Sequence, residues 1–197
     1  MAHAKTMAEF IPSVDEALLY KREWMQSRGR DYTTYIDLLH TFKEPPVSID
    51  VLTRQCELIY KAYNQRAEIE RRSISANYLL TIDNLTERLS DGDLSLPDDI
   101  VNGNIGNQFV FAVMFCHHSN PNVYFGCSEK IMNIIVALNK FDHFWNQEIN
   151  NVVLRKYTIF HSVMNSLVYY YHLESLSHLE LDILLRKASE KIMEEKQ

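Results

Sequence analysis

Residues 128–171, SEKIMNIIVALNKFDHFWNQEINNVVLRKYTIFHSVMNSLVYYY, form the stretch on which the fold reading turns. Its apolar positions are Ile131, Ile134, Ile135, Leu138, Phe141 and Trp145, then Val152, Val153, Phe160, Val163, Leu167 and Tyr171. They recur mostly at steps of three and four, the period of one helix face. The spacing predicts one or two buried helices, capped at the start by Ser128 and closed by three consecutive tyrosines.

Working outward, Phe109 to Cys116 is a continuous apolar run, too short for its period to separate strand from buried helix. Helical neighbours decide for helix. Pro97, Asp98 and Asp99 open the preceding helix, where proline fits the first turn and the helix dipole favours anions. Gly103 and Gly106 interrupt its first turns. The run from Asp91-Gly92-Asp93 to Pro97 is the clearest connection and the best candidate for any subdomain boundary, near 91–97, but the domain is not divided there. Ser119 to Asn122 reads as a turn, followed by a short extended piece at Val123 to Phe125. On the other side, Ser177 with Glu180 forms a capping box for a last helix from His178 through Ile192.

Nearer the N-terminus, Ser13 with Glu16 is a second capping box, and Val14, Leu18, Tyr20, Trp24 and Met25 give that helix an apolar side. Gly29 is expected to end it in the left-handed conformation. Asp31 opens a second helix that runs to Phe42 and is stopped by Pro45-Pro46. Ser48 caps a longer element with a stripe at Leu52, Cys56, Ile59, Tyr63, Ala67, Ile74, Tyr78, Ile82, Leu85 and Leu89. The pattern dips at Glu68 to Ser73, so segment 48–90 is one helix or two. The sum is an all-α protein, a single domain over 1–197 with five to seven helices packed around the hydrophobic core of Phe109–Tyr171.

A hydrophobic content of 46% with 23% charged residues suits one ordinary globular core. The net charge of −6 is even: residues 1–96 hold 12 basic and 15 acidic side chains, residues 97–197 hold 8 and 11. Neither half is a basic arm, which argues against nucleic acid as the ordinary partner. Cys56, Cys116 and Cys127 are odd in number and widely spaced, unlike a disulfide framework, so a reducing, cytoplasmic setting is expected. Pro12, Ser13, Asp15 and Glu16 interrupt any leader-like apolar run, and no stretch reaches the ~20 predominantly apolar residues of a membrane span.

Phosphate-binding glycine loops, nucleophile elbows and H-E-x-x-H helices are missing from the sequence, so no cofactor is expected. Cys116, His117, His118 and Cys127 surround a turn but lack zinc-knuckle spacing, so no metal is expected either. Tyr169-Tyr170-Tyr171 is the strongest functional feature. Successive helix residues turn by about 100°, so three tyrosines cannot all face one core, and exposed tyrosine is a favoured protein contact. Phe144 and Trp145, with Phe141, extend the aromatic sector. The leading expectation is a non-catalytic regulatory or accessory protein that binds protein, as a homodimer or with another partner.

Arg155 followed by His161 has a spacing that resembles the R-x(4–6)-H signature of HEPN-type helical ribonucleases. The resemblance covers this one helix. It implies metal-independent RNA cleavage across a dimer, with Arg155 stabilising the phosphate and His161 moving a proton. The sequence departs from that pattern at Lys156, usually a small polar residue, and at Val163, usually aromatic. It is the alternative reading. A third class is a helical bundle that binds a small ligand among the aromatic residues of the central segment.

Overall fold

The computed structural model describes residues 11–27, 29–63, 69–103 and 108–194. Among them are ten α-helices and no strand: α1 (Val14–Ser27), α2 (Arg30–Thr41), α3 (Ile49–Ala62), α4 (Ile69–Leu80), α5 (Leu85–Asp91), α6 (Leu96–Asn102), α7 (Phe109–Ser119), α8 (Glu129–Asp142), α9 (Tyr157–Tyr170) and α10 (His178–Glu194). A 3-10 turn, Val153–Arg155, precedes α9. The expected all-α class stands, but five to seven helices is an undercount. The chain divides into two compact units, Trp24–Gly126 and Met1–Glu23 with Cys127–Gln197.

In the unit Trp24–Gly126, α7 is buried along its length because its residues are apolar at every angular position. Tyr60 of α3 stacks on Phe111 at 4.8 Å between ring centroids, and Phe42 meets Phe115 edge-on at 5.6 Å. Ser48 caps α3 by accepting from the Val51 amide. The connection from α5 to α6 is held by Arg88, which pairs with Asp93 at 2.7 Å and Asp99 at 2.5 Å. Tyr124 Oη donates to the carbonyls of Arg88 and Asp93 from the side. Gly92 ends α5 at φ 74°, and an added Cβ would lie 2.5 Å from Val123 Cγ1, so a side chain there would be strained by its backbone and would displace Val123.

Segment 48–90 contains three helices, α3, α4 and α5, where one or two were expected. A continuous apolar stripe hid a turn at 81–84, where Asn84 takes left-handed backbone at φ 54°. Ala67, Gly106 and Glu68 fall outside the described residues. The stripe also misplaced Ile74, which is exposed while its neighbours Ser75 and Ala76 are buried. Gly29 is not a left-handed terminator: its φ is −66°, and it stands at the N-cap of α2.

In the other unit, both capping boxes form as read. Ser13 N donates to Glu16 Oε2 at 2.8 Å, and Ser177 N to Glu180 Oε2 at 2.7 Å. Glu180 also accepts from Lys21 at 2.8 Å, which ties α1 to the start of α10. Burial is the largest influence on the Glu180 carboxyl and opposes ionisation, but Lys21 and Ser177 outweigh it and hold its pKa below the usual range. Ile131, Ile135 and Leu138 of α8, Phe160, Val163 and Leu167 of α9, and Leu181, Leu184 and Leu185 of α10 fill this core. Phe141 and Val152, counted as core by their spacing, are instead 62% and 81% exposed. No helix among the described residues is long and apolar enough to cross a membrane.

Candidate interaction surface on α8 and α9

The segment between α8 and α9 is fastened to α8 by its own polar side chains. Ser128 caps α8 by accepting from the Ile131 amide, and α8 ends at His143 in left-handed backbone, φ 51°. Asn139, buried on the last turn, accepts from Trp145 N at 2.8 Å and donates to the Gln147 carbonyl at 3.3 Å. Asn150 Oδ1 accepts from the amides of Val152 and Val153, starting the 3-10 turn. Asn151 donates to Asn133, and Arg155 pairs with Glu129 at 2.8 Å. These ties set where α9 begins.

Its far end is fixed by Tyr171, whose hydroxyl donates to Asp142 Oδ2 at 2.6 Å. Burial, then this carboxylate, pushes the Tyr171 pKa well above its ordinary value, so the phenol keeps its proton. Phe144 packs on Tyr170 and Tyr171 at 6.3 and 6.2 Å, and the two tyrosines meet edge-on at 5.0 Å. The triplet therefore divides as helix geometry requires: Tyr169 is 75% exposed, Tyr170 is 45% exposed and Tyr171 is half-buried. Phe144 and Trp145 are half-buried. Trp145 lies along an open groove of about 660 Å³ with Asn139, Lys140, His143, Gln147 and Ile149. Of its lining residues Trp145 alone is a phenylalanine, tyrosine or tryptophan.

The remainder of the outward side of α9 is polar and uncharged. Thr158, Ser162, Asn165 and Tyr169 lie opposite the buried stripe of Phe160, Val163 and Leu167. None is ionised, and α9 contains no Asp, Glu, Lys or Arg. That lack of charge was the legible signal. Asp142 had none, since it meets Tyr171 across 29 positions of sequence.

Arg155 lies in the 3-10 turn, and extended Lys156 separates it from α9, so the arginine and His161 do not share one continuous helix. His161 sits on α9 beside Tyr157 at 6.0 Å between centroids, and its Nδ1 is 3.1 Å from Asn165 Nδ2. In the unit Trp24–Gly126, His117 Nδ1 is hydrogen-bonded to the Tyr124 carbonyl at 2.7 Å, and His118 Nε2 to Tyr63 Oη at 2.8 Å. Burial, then the His117 charge, holds the His118 pKa well below 6.5. Burial likewise raises the thiols, that of Cys56 to about 12 and those of Cys116 and Cys127 well above 9.0. At neutral pH these are protonated thiols enclosed in protein. No group of three or more His, Cys, Asp or Glu side chains that could hold a metal ion occurs among the described residues.

Comparison with protein-family models, with curated proteins and with solved structures found no match.

Proposed function

We propose that this protein acts by binding protein, in a regulatory or accessory role in the cytoplasm, through the surface where α8 and α9 end. The observation that carries the reading is Tyr169: it is held three-quarters exposed on a helix whose position is fixed by the Asp142–Tyr171 hydrogen bond and the Phe144 packing. A large aromatic side chain presented on a supported frame loses little conformational freedom when it is covered, which is why tyrosine is enriched at contact sites. Tyr170 and the exposed Phe141 add apolar area within the same unit.

The test places a photoreactive benzophenone amino acid at position 169 and, as a control, at exposed Glu57 of α3. Irradiation in cells is expected to give adducts at 169 that are absent at 57. Equal adduct levels at the two positions overturn the reading.

Metal-independent RNA cleavage by Arg155 and His161 is the second reading. It requires the guanidinium to leave Glu129 and meet a phosphate. Purified protein that leaves RNA intact removes it, whereas cleavage lost in His161→Ala, with the fold retained, establishes it.

A further inference from the structure

The outer face of α9 carries one uncharged stripe along its length. Thr158, Ser162, Asn165 and Tyr169 follow one another at steps of four, three and four, the spacing of a seam along which a helix meets another helix. The exposed side of a helix ordinarily carries charged residues, and this protein has them in quantity, at 23% of the chain with a net charge of −6. Yet Lys156 and Glu174 are the nearest ionised residues to α9 in the sequence, and none lies between them. Interface centres are depleted of charge and enriched in tyrosine, and although serine is scarce at ordinary interfaces, serine and asparagine supply adaptable hydrogen bonds in antibody combining sites.

The charges at the two ends have opposite sign. Exposed Lys156 immediately precedes α9, and exposed Glu174 is the fourth residue beyond it. Two copies of α9 laid antiparallel along the seam bring the basic end of each beside the acidic end of the other, about 21 Å along the helix. The same arrangement opposes the helix dipoles favourably, and it repeats by a two-fold axis. A parallel pairing would set Lys156 against Lys156 and Glu174 against Glu174.

We infer that the partner at this surface is a second copy of the chain, with α9 packed antiparallel on α9 so that Ser162 of each copy faces Asn165 of the other. This rests on the protein-binding reading given above and names its occupant. The pairing is one that acidic chains can make, because the seam itself carries no like charges to bring together.

The experiment is mass determination by light scattering on the full chain over a concentration series, with circular dichroism to confirm helix content. Wild type is expected at twice 23.1 kDa. Ser162→Lys alone and Asn165→Asp alone are expected to weaken the dimer, Ser162→Lys by about tenfold or more in Kd, and the double variant to restore it. Lys156→Glu is expected to weaken it and Lys156→Glu with Glu174→Lys to recover it, on residues outside the helix. A wild-type mass of 23.1 kDa throughout overturns the inference, as does a dimer that none of these variants changes. In either case, adducts from position 169 that join the chain to a different protein keep the protein-binding reading intact. Absence of both dimer and adducts removes both.

Discussion

Neither α7 nor α9 carries an Asp, Glu, Lys or Arg, yet α7 is buried at nine of its eleven residues and α9 at five of its fourteen. The same lack of charge has two causes. In α7 the bulky residues Phe109, Phe111, Val113, Met114 and Phe115 surround the axis, so every direction must meet protein. In α9 the bulky residues keep to one side, and the other holds Thr158, Ser162, Asn165 and Tyr169. Lack of charge alone does not separate a core helix from a contact helix. The sizes and hydroxyls of the outward side chains do.

Truncating a side chain on each helix in turn separates the two cases. Phe115, fully buried and in edge contact with Phe42, is expected to lose about 3–5 kcal/mol of stability as Phe115→Ala. The unit it belongs to contains Trp24 and the other contains Trp145, so urea unfolding followed by fluorescence in Trp145→Phe and Trp24→Phe backgrounds assigns the loss to one unit. A comparable loss from Asn165→Ala would break the distinction.

The second expected effect is acid sensitivity at the end of α7. The folded protein holds His118 neutral below the ordinary value of 6.5, whereas the unfolded chain takes up the proton there. Stability from this group is therefore complete above pH 6.5 and is lost as pH falls through the depressed folded value, by at most about 1.4 kcal/mol per pH unit. Its neighbours are the rings of Tyr35, Phe42 and Tyr63 and the imidazole of His117, none of which supplies a carboxylate. Denaturation midpoints between about pH 7.5 and about pH 5.5 are expected to fall in wild type and to fall less in His118→Gln. Equal slopes would place the acid effect elsewhere.

A smaller effect belongs to the support of α9. Tyr171→Phe removes the hydrogen bond to Asp142 and is expected to cost about 1 kcal/mol, since the site is half-buried and the bond only partly shielded from water. The raised folded pKa also means that stability from this phenol is present below pH 10.0 and lost as pH rises beyond it. That alkaline slope is expected to shrink in Tyr171→Phe. The smallest change is Asn165→Ala, an exposed substitution expected to stay within about 0.5 kcal/mol for the folded monomer. Its interest lies in the contrast with Asn165→Asp, which the light-scattering series reads.

The helical class, both capping boxes, the Ser48 and Ser128 caps and the helix made by the apolar run at Phe109 are legible in the amino-acid order alone. Each depends on neighbours within about one turn, where hydrogen-bonding chemistry and side-chain period are local properties. That order also carried the division of the tyrosine triplet, which follows from the rotation per residue alone. It takes the folded chain to reveal that an apolar stripe over 48–90 holds three helices, that Phe141 and Val152 face outward, and that Arg155 stands outside α9 against Glu129. The Asp142–Tyr171 bond belongs to the same group. Left-handed backbone at Asn84 and His143 interrupts the helices without a glycine or proline, and side chains 26 to 29 positions apart then meet through the folded chain, where no short-range period can record them.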